Sequence, residues 1–96
     1  MEEWYSGWKE IKYYENGLKR SEGLFVDGKQ SGRWLWYYEN GSLESEENWE
    51  KGLPNGKEIN YYENGQKKSE VNWVNGEKED VVSEWNENGD LVKSDF

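Results

Sequence analysis

Polar and apolar residues alternate along most of the chain, in short runs separated by polar segments that contain glycine. Runs such as "RWLWYY" (33–38) and "EINYY" (58–62) are rich in Tyr, Trp, Ile and Leu. Aromatic and β-branched residues suit the pleated surface of a β-strand. Both runs lead into "ENG", and Asn-Gly is a strong signal for a hairpin turn. The pattern therefore predicts an all-β chain of short strands and tight turns.

One segment of this pattern recurs every 24 residues. "YYENG" begins at residues 13, 37 and 61, and "WNENG" begins at 85. A fixed period of this length is typical of repeat proteins, in which each unit packs on its neighbours. We expect one domain over residues 1–96, folded as a single antiparallel β-meander of stacked hairpins. Its parts are a half-unit (1–12), three units (13–36, 37–60 and 61–84) and a C-terminal half-unit (85–96).

The Asn-Gly pairs are interpreted as two-residue type I′ turns, in which both residues take a positive φ. A turn of this length fixes the strand register. In the middle unit it pairs Tyr38 with Leu43, Trp36 with Ser45 and Trp34 with Glu47.

The second turn of each unit is interpreted as a longer loop. The three loops lie at 27–32, 51–56 and 75–80, and Pro54 falls inside the second one. The chain ends depart from the period. Gly7 precedes Tyr13 by six residues, and Ser94 follows Gly89 by five, where the units have five and four. We therefore expect a bulge in the first half-unit and an altered register in the last hairpin.

The register predicts two unlike faces. One face carries aromatic rings, with Ser21, Ser45 and Ser69 leaving room for the rings of adjacent units. We expect Trp34, Trp36, Trp49 and Trp73 to form a core there, and the alternative is a platform for stacking on sugar rings. The other face is half apolar and half exposed. It is predicted to hold Tyr13, Tyr37, Tyr61, Glu22, Glu44, Glu46 and Glu70.

Composition adds charge to this picture. The chain has 21 acidic and 12 basic residues, a net charge of -9, and 17% aromatic residues. This many rings argues against disorder despite a mean hydropathy of -1.32. Direct binding to nucleic acid or to anionic lipid requires basic patches, so both are disfavoured. A basic partner protein would instead be attracted.

Catalytic chemistry finds little support in the sequence. Histidine and cysteine are absent, which removes the commonest general base, thiolate ligands and disulfides. The recurring Glu22, Glu46 and Glu70 are interpreted as a solvated face rather than as a ladder of catalytic acids. We expect no enzyme, metal or cofactor. The absence of cysteine and of a signal-peptide pattern leads us to expect a cytoplasmic protein.

The stretch "YYENGQKKSEVNWVNG" (61–76) resembles the MORN repeat. It is most similar to the variant MORN repeats of bacterial YwqK-type antitoxin proteins, and the likeness extends over about residues 7 to 89. The resemblance implies a meandering antiparallel sheet. It also implies protein interaction, with toxin neutralisation or phospholipid binding in some members.

Three functions follow as hypotheses. The first is an acidic binding module that inhibits a basic partner, as an antitoxin or immunity protein of a bacterium or phage, or as a charge mimic facing a nucleic-acid-binding effector. Its contact residues would be Tyr13, Tyr37, Tyr61, Glu22, Glu44, Glu46 and Glu70. The second is a structural MORN scaffold, and the third is a carbohydrate- or lipid-binding module. The exposed edge strands also allow a homodimer.

Overall fold

The computed structural model describes residues 7–94, without the side chains of residues 80–82. These residues form one antiparallel sheet, with the strand order β1-β2-β3-β4-β6-β7-β8-β9 and β5 paired to β4. The strands are β1 (Gly7–Tyr13), β2 (Lys19–Val26), β3 (Lys29–Tyr37), β4 (Leu43–Glu50), β5 (Leu53–Pro54), β6 (Gly56–Tyr61), β7 (Lys67–Val74), β8 (Glu77–Trp85) and β9 (Leu91–Ser94). The predicted all-β meander of hairpins is confirmed.

The sheet is a single layer. Its extents are 53 × 37 × 18 Å, so that its thickness is little more than one strand with the side chains of both faces. Among the described apolar residues only Trp34 and Val71 are buried. The serines predicted to leave room for rings are buried at positions 21 and 45, whereas Ser69 is half-buried. Both faces of the sheet are therefore open to a partner.

The "ENG" turns differ from the predicted type I′ turns. In the middle unit the Tyr38 amide donates to the Ser42 carbonyl at 2.8 Å, and the Gly41 amide donates to the Tyr38 carbonyl at 2.9 Å. The connection thus has three residues, and only its last, Gly41, takes a positive φ, of 93°. Asn40 instead accepts the Ser42 amide on Oδ1 at 2.9 Å. The asparagine serves as a side-chain acceptor and the glycine as the left-handed residue.

A β-bulge after each of these turns restores the predicted register. Tyr37, rather than Tyr38, pairs with Leu43, but Trp36 pairs with Ser45 as predicted. The extra turn residue and the extra bulge residue compensate each other, so that the face assignments beyond the bulge are right. The unpaired bulge residue is Glu44 here, and its equivalents are Arg20, Lys68 and Val92.

The second turns are the two-residue turns, and the prediction of long loops there is wrong. Val26 pairs with Lys29 directly across Asp27 and Gly28, which have φ values of 53° and 78°. The equivalent turns are Lys51-Gly52 and Asn75-Gly76, again with positive φ at both positions. Pro54 therefore lies in a strand, paired with Trp49. Residues assigned to a loop by the sequence extend the strands instead.

The first and last hairpins of the described residues follow the same rules as the middle, contrary to the prediction, of which the part on residues 1–6 lies outside the described residues. The β1–β2 register runs unbroken from Gly7–Val26 to Lys12–Ser21, and the only irregularity is the bulge that every such hairpin has. In the last hairpin Trp85 pairs with Leu91 and Glu84 with Lys93, the register of the preceding unit. Lys93, not Ser94, therefore occupies the place of Ser69. The outermost described strands are β1 and β9.

The second tyrosine of each "YY" pair joins successive units. The hydroxyl groups of Tyr14 and Tyr38 donate to the carbonyls of Tyr37 and Tyr61, 23 residues further on, at 2.6 and 2.7 Å. Tyr62 binds the Trp85 carbonyl in the same way at 2.9 Å. Since these bonds connect one unit to the next, the repeated tyrosine is part of the scaffold.

Candidate protein-binding surfaces

The two faces of the sheet carry different chemistry. We call one the aromatic face, which is defined by Trp8, Phe25, Trp34, Trp36, Trp49 and Trp73. The other is the polar face, which is defined by Glu22, Glu46, Glu70, Tyr37, Tyr61 and Trp85. Strand alternation separates them, since consecutive residues of a strand point to opposite sides.

Stacked rings cover the N-terminal half of the aromatic face. Trp8 stacks on Phe25 with ring centroids 5.1 Å apart, and Phe25 meets the edge of Trp34 at 5.2 Å. Trp34 then stacks against Trp36 at 6.1 Å. Such pairs contribute beyond the area they bury. In a sheet without a second layer, this row of rings takes the place of a core.

Gly23 makes room for the most buried ring. Trp34 is 2% exposed, and its indole N–H donates to the Leu24 carbonyl at 3.1 Å. A β-carbon added at Gly23 would lie 1.9 Å from an atom of that indole. The ring therefore rests directly on the backbone of β2. Trp36, Trp49 and Trp73 are half-buried, so of the four tryptophans predicted to form the core only Trp34 is fully buried.

Two carboxylates occupy the centre of the aromatic face. Glu47 accepts the indole N–H groups of both Trp36 and Trp49, at 3.0 and 2.9 Å. Glu58 accepts the indole N–H of Trp73 at 2.8 Å. Glu47 and Glu58 lie on the adjacent strands β4 and β6, each one residue from the Glu46–Ile59 pair. Within the part of the chain that the structure describes, neither carboxylate forms an ion pair.

The polar face carries a ladder of ion pairs instead. Glu22 binds the amino groups of Lys9 at 2.7 Å and Lys19 at 3.0 Å. Glu70 repeats this arrangement with Lys57 at 3.8 Å and Lys67 at 2.8 Å. These carboxylate side chains are only 16% and 15% exposed, so most of their surface faces protein. The repeated glutamates are not the solvated row that the sequence suggested.

Glu46 completes this ladder with different partners. Its carboxylate is bound by the guanidinium of Arg33 and by the Tyr61 hydroxyl, the latter at 2.7 Å. Burial by itself would raise the pKa of Glu46, but the bonds from Tyr61 and Arg33 outweigh it and lower that pKa. Burial, followed by the bond to Glu46, raises the pKa of Tyr61 to about 12. At neutral pH this group is a charged carboxylate held by a neutral phenol and a cation.

The seven predicted contact residues thus occupy three environments. Glu22, Glu46 and Glu70 are neutralised by basic neighbours, as described above. Tyr37 and Tyr61 are half-buried on the polar face, while Tyr13 is 56% exposed. Glu44 is exposed at the bulge. Burial first, and then the charge of Glu44, raises the pKa of Tyr38, so Glu44 lies near the second tyrosine of its unit.

Sequence reasoning missed the basic partners and the central acids. A basic residue recurs every 24 residues at Lys9, Arg33 and Lys57, and this period was the signal for the ion-pair ladder. Glu47 and Glu58 carry the opposite signal, a break in the period. Their equivalents in the neighbouring units are Gly23 and Val71 for the first acid, and Trp34 and Val82 for the second.

A row of acids also follows the three-residue turns. One exposed glutamate occupies the same turn position in each hairpin, and the four are Glu15, Glu39, Glu63 and Glu87. Equivalent turns are two strands apart, about 10 Å. We call these four residues the acidic rim.

Groups of metal-ligating residues and membrane-spanning helices were sought among the described residues. In residues 7–94, the described acids form no group of three or more that could hold a metal ion. The same residues contain no helix that is long and apolar enough to cross a membrane.

Comparison with known protein families gives one match. The family model of the MORN repeat variant matches residues 30–51 and 54–75, two adjacent segments in the middle of the chain. No curated protein and no solved structure matches the chain. The matched segments contain both central carboxylates and most of strands β3 to β7, so the middle of the chain is similar to two adjacent variant MORN repeats. This supports a repeat-based module for binding or scaffolding.

Proposed function

We propose that the protein is a non-enzymatic binding module that docks on a basic partner protein and inhibits it. The partner would be a toxin or another nucleic-acid-binding effector, and the inhibitor would act as an antitoxin or immunity protein. One observation carries this proposal. The sheet is a single layer whose two faces are open, while the chain has a net charge of -9.

The placement of the acids supports this function. The internal ion pairs absorb part of the charge, but the acidic rim and the central carboxylates are not paired within residues 7–94. A row of exposed charge accelerates the approach of a partner of opposite sign. Half-buried tryptophans supply the apolar contact on which interface affinity commonly depends. Rim and rings together fit a protein with a basic docking surface.

A structural scaffold is the second candidate. The match to the MORN repeat variant favours it, because stacked repeats provide an extended surface without requiring inhibition. The two candidates differ in what binding does to the partner's activity.

Capture from the source cell, followed by reconstitution, tests the proposal. The protein is immobilised, the bound protein is identified, and its nuclease or other activity is then measured with increasing amounts of the purified module. We expect a basic protein whose activity falls to a minimum near one equivalent, with association that slows as salt rises. A partner that is bound but stays fully active would favour the scaffold. Failure to recover a basic protein would reject the inhibitor.

A further inference from the structure

The centre of the aromatic face combines two features. It has half-buried indole rings, at Trp36, Trp49 and Trp73, and it has the carboxylates of Glu47 and Glu58, which accept their N–H groups. Like charges on adjacent strands of one sheet face oppose each other. The repeat itself does not require acids here, since the equivalent residues of the neighbouring units are apolar or glycine.

The indole hydrogen bonds fix these carboxylates without neutralising them. Each indole N–H is a neutral donor, so it adds no positive charge beside Glu47 or Glu58 while it holds their side chains in place. Glu58 is further held by the amide of Asn60, which donates to its second oxygen at 2.9 Å. The result is a pre-oriented pair of carboxylates beside three indole rings.

We propose that this centre is the docking point for arginine side chains of a partner protein. The assignment rests on the proposed function and names the surface and the residue type through which the basic partner binds. An arginine guanidinium is planar, stacks on an indole face and donates two parallel hydrogen bonds to a carboxylate. Lysine offers a compact charge without that geometry.

The polar face is a poorer candidate for the same ligand. There Glu22, Glu46 and Glu70 already have cationic partners from the protein itself. An incoming arginine would have to displace Lys9, Arg33 or Lys67 before it could bind. The acidic rim is accessible, but no ring recurs at its turn positions, so it can attract a basic segment without orienting it.

A peptide of alternating glycine and arginine, ten residues long, is the probe for this proposal, with a lysine peptide of equal charge beside it. Association and dissociation are followed by surface binding kinetics and by tryptophan fluorescence. The wild-type protein is expected to bind the arginine peptide about threefold more tightly than the lysine peptide, because only arginine stacks and pairs at once. Binding is also expected to change the fluorescence of the half-buried indoles.

Two double variants with the same change in charge locate the site. Glu47→Gln/Glu58→Gln is expected to weaken arginine-peptide binding about tenfold through faster dissociation, because the paired contacts are lost. Glutamine still offers an oxygen to the indole N–H groups, and a circular dichroism melt verifies the fold. Glu39→Gln/Glu63→Gln, on the acidic rim, is expected to slow association about twofold and to leave dissociation unchanged.

The outcomes separate this inference from the function on which it rests. Equal losses in both double variants would overturn the assignment of the site while leaving charge-driven inhibition intact. Equal affinity for the two peptides, or binding without a fluorescence change, would overturn the arginine assignment. If the captured effector is not inhibited although the peptide binds at Glu47 and Glu58, the inhibitor function fails and the site stands.

Discussion

Glu46 and Glu47 are consecutive residues of β4, yet they lie in opposite surroundings. Glu46 lies on the polar face, bound by Arg33 and Tyr61. Glu47 lies on the aromatic face, where the neutral indoles of Trp36 and Trp49 bind it. Within residues 7–94, one carboxylate has a cationic partner and the other has none. The comparison shows that acids on this sheet cannot be treated as one surface.

The difference follows the repeat. Residues equivalent to Glu46 are Glu22 and Glu70, and the basic partner recurs with the same period. Residues equivalent to Glu47 are Gly23 and Val71. What repeats in this chain builds the sheet, through turns, ion pairs and tyrosine bridges. We propose that residues which depart from the repeat, such as Glu47, serve recognition instead.

Substitution of Gly23 is expected to cause the largest loss of stability on the aromatic face. Gly23→Ala would place a β-carbon inside the Trp34 ring and force that ring off the backbone. We expect a loss of about 3 kcal/mol in unfolding free energy, the range of overpacked sites. Urea unfolding measures it. Gly32→Ala is the control, since its β-carbon meets open space and only the positive φ of 71° opposes it, at a cost of about 1 kcal/mol. Equal losses would mean that Trp34 can leave its place freely.

Tyr38 is the second tyrosine of its "YY" pair and Tyr13 is the first tyrosine of another, and we expect them to differ in their contribution to stability. Tyr38→Phe removes the hydroxyl that binds the Tyr61 carbonyl, and we expect a loss of about 1.5 kcal/mol because that carbonyl loses its donor. Tyr13→Phe changes a 56% exposed residue whose hydroxyl makes no hydrogen bond within residues 7–94, and its melting temperature should stay that of the wild type. A Tyr13→Phe variant as unstable as Tyr38→Phe would contradict the division of the pair.

Glutamine substitutions of the neighbouring acids Glu46 and Glu47 compare the contributions of the two faces to stability. Glu46→Gln weakens the bonds to Arg33 and Tyr61, and we expect a loss of about 1 kcal/mol. Glu47→Gln makes the same change in charge, keeps an acceptor for the indoles and relieves repulsion with Glu58. Its stability should lie within about 0.5 kcal/mol of the wild type. Chemical denaturation at pH 7 compares the two, and a larger loss in Glu47→Gln would reverse the roles assigned to the faces.

Acid should weaken the polar face. The amino groups of Lys9 and Lys19 lower the pKa of Glu22, and the net effect of Tyr61 and Arg33 lowers that of Glu46, both from 4.5. The fold therefore favours their charged forms. The stability that they contribute is present above about pH 4.5 and is lost as the pH falls through the lowered values. We expect about 0.5 kcal/mol for each glutamate, given how exposed their basic partners are. Unfolding curves of wild type and Glu46→Gln between pH 3 and 6, a range chosen around that pKa, should converge at the acid end. If the stability difference between the two proteins stays constant over this pH range, the ionisation of Glu46 does not contribute to the stability of the fold.

The sequence predicted the fold better than its details. Alternation and the 24-residue period were sufficient for the all-β meander and for the pairing of Trp36 with Ser45. The turn types were wrong because Asn-Gly also fits a three-residue turn, in which Asn40 accepts a hydrogen bond and only Gly41 needs a positive φ. The motif "YYENG" by itself does not distinguish a two-residue turn from a three-residue turn. The predicted register survived only because the bulge at Glu44 compensates the longer turn.

The candidate surfaces were predicted less well, for a physical reason. A sequence shows how often an acid recurs but not which charges reach it across strands. Lys9 meets Glu22 from the adjacent strand, thirteen positions away in the chain. The indole bonds to Glu47 likewise depend on how the rings of Trp36 and Trp49 lie on the face. The glutamates that are paired with cations and those bound by indoles could be distinguished only with the side chains in place.

The most direct test of the docking site is which indole signals change when a basic peptide binds. In a two-dimensional NMR titration with the alternating glycine–arginine peptide, the indole N–H signals of Trp36, Trp49 and Trp73 are expected to shift together. Trp85, whose ring lies under the Lys67 amino group on the polar face, should stay in place. Shifts at Trp85 with unchanged signals from the three central indoles would contradict the claim that the aromatic face, and not the repeated glutamate ladder, receives the partner.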